Sequence, residues 1–220
     1  MTNASPGERV GEENPPRRRS NQIDPDRIYN AAAELLATIG PTRMTMADVA
    51  RYVGVSRATL YRNWPNIYEL INALFDREYL AAGKNALKAD YAKYDKNPDA
   101  PCERLRLVEA VLSVAKSIRG NPTWKVMVHF DAEWLVDNTV RKSGSAIVLL
   151  VDLLESIIEL SGDNSIRADK SPRVLAGLIA LAVTSFLLTA PAMMDEPDQS
   201  VLDVHLFDLL DRLLAPAAIP

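Results

Sequence analysis

A single cysteine, Cys102, stands in 220 residues, so no disulfide can close within the chain and no Cys-x-x-Cys metal site exists. A reducing, cytoplasmic setting is the expectation. Histidine is almost as scarce: His129 and His205 are the only two, and neither lies in a nucleophile elbow, a metal-binding helix or a phosphate loop. Cys102 follows a proline at a predicted helix start, where the N-terminal dipole could lower a thiol pKa, yet no base and orienter can be named beside it. A non-enzyme with neither cofactor nor metal is therefore expected. No segment shows a sustained period of two, which points to an all-α fold. The N-terminus is polar where a secretory leader needs an apolar core. The one long apolar run, residues 174–190, is 17 residues long and contains Thr184, Ser185 and Thr189. A typical bilayer span needs ~20 apolar residues, so a buried or subunit-contact helix is expected there and no membrane partner.

Net charge is small overall, but charge is unevenly placed. The chain carries 25 basic and 29 acidic residues, a net −4, while residues 15–66 hold eight arginines against four acids, a local +4. A local basic patch, not the overall pI near 5.3, decides an encounter with a polyanion.

Within that segment residues 45–66 read as two short amphipathic helices separated by a glycine, a helix-turn-helix. Thr45 is a natural N-cap, and Met46, Val49, Ala50 and Val53 recur at helical spacing on one face. Gly54 should end that helix, because glycine enters the left-handed backbone region without steric cost. Ser56 caps the second helix, Leu60 and Trp64 pack inward, and Pro65 ends it. The outward face is Arg57, Ala58, Tyr61 and Arg62, bordered by Thr59 and Asn63. Arginine bonds a guanine edge bidentately and a small methyl meets thymine, so Arg57 and Ala58 suit base readout. Ser56, Thr59, Tyr61 and Asn63 carry the short polar groups that phosphate contacts use.

The flanks support the motif. Asp24-Pro25 opens a preceding helix whose apolar face is Ile28, Ala32, Leu35, Leu36 and Ile39, and Gly40-Pro41 ends it. Asn66 with Glu69 makes a capping-box start for a long connector helix running to about Tyr94. Beyond it, helices are expected from about Cys102 to Arg119, from Trp124 to near Arg141, from 143 to 160, from Pro172 to Thr189, and through Leu202 to Leu213.

The run Gly-Val-Ser-Arg-Ala-Thr-Leu-Tyr at residues 54–61, with Trp64 and Leu70 after it, resembles the DNA-binding domain of TetR-family transcriptional regulators over about residues 24–75. Two departures stand out. Ile67 occupies a place where the family often has lysine, and Ala47 and Asp48 stand where it often has a basic residue. Arg17, Arg18 and Arg19, in a tail without apolar periodicity, are either a compensating minor-groove arm or a charge run that only solubilises the tail.

The expected organisation is a basic flexible tail at 1–22, a three-helix DNA-binding head at 23–70 and a helical body at 71–220. DNA-binding candidates are Thr45, Ser56, Arg57, Ala58, Thr59, Tyr61, Arg62 and Asn63, with the three tail arginines. The resemblance implies a homodimer through a four-helix contact of residues 143–160 and 172–189, where Ala176, Gly177 and Ala180 leave room for close approach. It also implies a ligand cavity that responds to a small-molecule effector and, since the family mostly represses, a repressor released from a palindromic operator. Trp124, Met127, Phe130, Trp134, Phe186, Met193 and Met194 offer the aromatic and thioether surface such a cavity uses. His129 and Glu133, one turn apart, are either polar anchors for that ligand or a structural pair. The rival readings are a helical adaptor that binds protein through the hairpin and, more remote, an enzyme.

Overall fold

The computed structural model describes residues 24–131, 133, 145–193 and 199–216 of the chain, and among these every regular element is helical. The first helix, α1, spans Pro25–Ile39. Its N-cap is Asp24, whose carboxylate accepts the Asp26 amide at 3.0 Å, and Pro25 sits where a helix has no amide to lose. Ile28, Ala31, Ala32 and Leu36 form its buried face.

Helix α2, Met46–Val53, begins with a reciprocal cap. The Thr45 hydroxyl accepts the Asp48 amide at 3.2 Å, and the Asp48 carboxylate takes the Thr45 amide at 3.1 Å and its hydroxyl at 2.6 Å. Asp48 is thus a structural acid, also paired with Arg51 at 3.1 Å, and its bonds from Thr45 hold its pKa below the usual carboxylate value. Gly54 ends α2 at φ 76°, ψ 36°, the left-handed geometry expected of it. A Cβ there would touch nothing within 4 Å, so only the backbone objects to a side chain. Gly54→Val should cost about 1–3 kcal/mol, more than Gly54→Ala, because branching worsens the left-handed clash. Chemical denaturation of the two variants checks the order; equal midpoints would remove the backbone explanation.

Helix α3 is only Arg57–Tyr61, shorter than the sequence suggests. The residue before a proline is pushed out of the helical region, so Trp64 leaves the helix ahead of Pro65, and the amides of Asn63 and Trp64 both fold back onto the Leu60 carbonyl. Trp64 nevertheless stays buried and meets Tyr29 edge-on at 5.6 Å between ring centres.

Helix α4, Ile67–Tyr94, starts where Asn66 Oδ1 accepts the Glu69 amide at 3.0 Å. Its first turns deliver Leu70, Ile71, Leu74 and Phe75 into one apolar cluster with α1, α2 and α3. That cluster does not stop at the head. Ile118, Trp124, Met127 and Leu187 belong to it, so body residues seal the underside of the three-helix unit.

The body comprises α5 (Glu103–Gly120), α6 (Pro122–Phe130), α7 (Ser145–Leu160), α8 (Pro172–Met193) and α9 (Gln199–Leu214). A second cluster unites Val108 and Leu112 of α5, Ile158 of α7, Leu175 and Ile179 of α8, and Leu206 and Leu210 of α9. Arg106 fixes α5 to α4 through both oxygens of Asp90, at 3.2 and 2.6 Å, while Arg104 and Arg119 reach Asp211 and Asp203 of α9. Two boundaries differ from expectation. Helix α6 stops at Phe130 rather than near Arg141, since Asp131 turns to φ −149°; aspartate is a weak helix former because its carboxylate competes for nearby backbone groups. Helix α8 continues past Thr189 through Pro191 to Met193, so the proline falls inside its last turn and not in the following loop.

Candidate nucleic-acid interface and ligand cavity

The head offers one polar, convex edge. Ser56 caps α3, its Oγ accepting the Thr59 amide at 3.2 Å and lying 2.8 Å from Thr59 Oγ1. Leu60 is fully buried, which turns Arg57, Ala58, Tyr61 and Arg62 outward; all four are exposed, as are Asn63 and Thr45, and Thr59 is half-buried. Among the described residues Arg57 has no ion-pair partner, and Arg62 makes only a 3.5 Å contact to Thr59. Two guanidiniums, one at each end of α3, are therefore available to an incoming polyanion. Thr45 sits on the same edge, with its hydroxyl held by Asp48. Asn63 is less free, its Nδ2 donating to the Thr59 carbonyl at 3.3 Å. Tyr52 and Tyr68 are also exposed on the head, and Tyr52 donates to Glu34 of α1. Arg17, Arg18 and Arg19 lie outside the described residues.

The body contains a cavity of about 100 Å³ between α4, α5, α7 and α8. Its wall is almost wholly hydrocarbon, with Ala86, Val111, Leu150, Leu154, Ile179 and Val183 representative, and only Tyr79 and Thr184 add a hydroxyl. Gly83 lets α4 and α7 approach closely, since a Cβ there would stand 3.1 Å from Leu150 Cδ2. Trp124 closes one end, edge-on to both Phe75 and Tyr79 at 6.2 Å.

Among the other aromatic and methionine residues singled out in the sequence, the structure puts Met127 at full burial in the head-spanning cluster and Phe186 against the body core. Phe130 is exposed, carrying His129 edge-on at 4.6 Å, and His129 and Glu133 are exposed as well. Trp134 and Met194 lie outside the described residues, as does the side chain of Met193. The wall is built instead from small and branched aliphatics on four helices.

A second compartment, also about 100 Å³, shares Tyr79, Ile118 and Trp124 with the first. It is polar on its far side, where Glu78, Asn85, Ser117 and Asn121 line it. Burial, and secondarily Asp76, pushes the Tyr79 phenol well above its usual pKa, so its hydroxyl is neutral at any physiological pH. Asn121 is the N-cap of α6, accepting the Thr123 and Trp124 amides at 2.8 and 3.2 Å while donating to Glu78 Oε2 at 3.1 Å. Glu78 Oε1 takes Arg77 at 2.6 Å, and Arg77 reaches Asn30 of α1 at 2.9 Å and lies over the Tyr29 ring. Sequence reading missed this relay, because its members are dozens of residues apart.

Comparison with known proteins bears on both features. The family model described as bacterial regulatory proteins, tetR family, matches residues 28–74. An uncharacterized HTH-type transcriptional regulator of Mycobacterium bovis is 27% identical over 188 residues, covering 86% of this chain and 93% of that protein. Among solved structures, the TetR-family transcriptional repressor QsdR of R. erythropolis superposes with a TM-score of 0.63 at 18% identity, covering 89% of this chain and 97% of its own. FadR of Bacillus subtilis, solved in complex with stearoyl-CoA, superposes with a TM-score of 0.58 at 15% identity, covering 87% and 100%.

Proposed function

Because the chain belongs to the TetR family of bacterial transcriptional regulators, we propose that it binds a palindromic operator as a homodimer and is released by a small, largely apolar molecule. It is a DNA-binding regulator and not an enzyme. The observation that carries the DNA contact is the exposed edge of α3, with Arg57 and Arg62 turned outward over a fully buried Leu60. Residues 23–70 act as the reading head and 71–220 as the effector and dimer body. Arg57 and Ala58 read bases, while Thr45, Ser56, Thr59, Tyr61, Arg62 and Asn63 hold the phosphates; Arg17, Arg18 and Arg19 add charge in the minor groove.

The dimer reading is supported by an apolar face that one chain leaves uncovered. Leu149 and Leu153 of α7 and Val174 and Leu181 of α8 are exposed, at 49%, 37%, 50% and 69%. The stretch Pro172–Ala190 is long and apolar enough to cross a membrane by length and composition, yet only 28% of it is buried within the chain. A twofold mate covering that face accounts for the rest, and Gly177, with open space where its Cβ would be, permits close approach. Ala176 and Ala180 point inward, to the core and the cavity wall. FadR with its stearoyl-CoA shows the fold taking an acyl ligand, which supports an effector role for the cavity here.

The test is fluorescence anisotropy on DNA from beside the chain's own gene, read against salt, with light scattering in parallel. Salt-steep binding by a dimer is expected, flattened when residues 1–20 are removed. A monomer at micromolar concentration, or retention of DNA indifferent to salt, sinks the reading.

A further inference from the structure

Resting on the reading of the body cavity as the effector site, we infer that the effector is an apolar molecule bearing a carbonyl, whose oxygen accepts from the Tyr79 phenol and the Thr184 hydroxyl at the Trp124 end of the chamber. Both side chains line this one compartment, Tyr79 from α4 and Thr184 from α8. Neither hydroxyl makes a hydrogen bond to the described residues. A helical threonine can donate to the carbonyl four residues back, as Thr38 and Thr189 both do at 2.7 Å, and Thr184 does not. Glu78, Asn85, Ser117 and Asn121 line the neighbouring compartment, yet the phenol bonds none of them. Nor is either oxygen sealed in protein. Among the described residues the fully enclosed side-chain atoms without a partner are Asn72 Oδ1 and Arg104 Nε, so both hydroxyls keep open surface.

The packing puts the two hydroxyls at the same end. Tyr79 lies edge-on to Trp124 at 6.2 Å, and Leu187, three residues beyond Thr184 on the same face of α8, shares the Trp124 cluster. At the opposite end Leu107, Val111 and Ile179 run into the second core cluster. The hydrocarbon part of a ligand therefore lies toward that cluster and its oxygen toward the head. Burial keeps the phenol protonated, so it has a proton to give. A carbonyl oxygen brings two lone pairs, enough for both hydroxyls. The chamber, about 100 Å³, is of the order of the ~150 Å³ hydrocarbon void that takes up benzene, so a single ring is a fitting body for a probe.

The experiment is titration calorimetry on the full chain with acetophenone and α-methylstyrene, which have one shape and differ only by O in place of CH2. Both should bind the parent chain. Tyr79→Phe should weaken acetophenone about three- to tenfold, the loss of one hydrogen bond, and leave α-methylstyrene within about twofold. Thr184→Val should act in the same direction. Because the phenol has no protein partner to lose, Tyr79→Phe should melt within about 2 °C of the parent. Acetophenone unmoved in Tyr79→Phe, or both probes weakened alike, overturns the inference while leaving an effector cavity in place. Acetophenone unmoved in Thr184→Val removes that hydroxyl from the anchor. A midpoint lowered by many degrees in Tyr79→Phe shows the phenol bonded within the protein and overturns the anchor too. Heat from neither probe on the parent chain overturns the effector reading itself.

Discussion

Trp124→Ala should lower the melting midpoint by about 6–20 °C, the equivalent of about 3–5 kcal/mol for a buried tryptophan in a chain of this size. The magnitude follows from what the ring touches. Trp124 is 4% exposed, lies edge-on to Phe75 and Tyr79, forms the end wall of the cavity and belongs to the cluster that seals the head from below. Truncating it opens a void that borders an existing cavity, so its neighbours have little to collapse onto. The functional outcome should split. Well below the new midpoint the variant should still bind DNA, since the α3 edge is untouched, while added ligand should no longer release it. Thermal melting, and anisotropy with and without an apolar ligand that releases the parent chain, check both halves. A shift under 2 °C would show that the ring is not structural, and a retained ligand response would show that it does not couple the cavity to the head.

Arg57→Ala should weaken specific DNA binding by about 1–3 kcal/mol and relax the preference at one base pair per half-site. Arg57 is exposed, follows the N-cap of the reading helix and lacks an internal partner among the described residues, so its truncation leaves the fold intact. Thr59→Ala is the contrasting variant. Its hydroxyl lies 2.8 Å from Ser56 Oγ, close to the helix start, and its loss should weaken all sequences alike. Site selection from a random pool separates the two. If the Arg57 variant enriches the same sequence as the parent chain, the arginine positions the helix and does not read.

Most of the head was legible because its signals are local. Asp24-Pro25, Thr45, Gly54 and Ser56 each act within three or four residues, and each forms the cap or stop that its chemistry suggests. The role of Asp48 was equally local and was passed over: a threonine followed three residues later by an acid is half of a capping box, and that use explains why a basic residue is missing there. The early end of α3 was also written in the sequence, in the residue before Pro65. The cavity was not legible. Aromatics and methionines look like wall material, but a void between four helices is lined by whatever faces inward, here alanine, valine, leucine and isoleucine that read as ordinary core. The relay from Asn30 through Arg77 and Glu78 to Asn121 depends on the packing of α1 against α4 and α6, which no spacing in the chain reveals.

Helix α4 has one more consequence, and it is one of leverage. Its 28 residues extend about 42 Å at 1.5 Å per residue, with one end in the core of the head and the other pinned beside α5 by Arg106 on Asp90. A rigid rod of that length converts each degree of tilt at the pinned end into about 0.7 Å of travel at the other. In a twofold pair the two rods swing oppositely, so a tilt of about 5° in each changes the distance between reading helices by about 7 Å, a fifth of the ~34 Å between successive turns of the major groove. If the chain works as the proposed dimer, a tilt of a few degrees at the pinned end is enough to put the two heads out of step with the duplex.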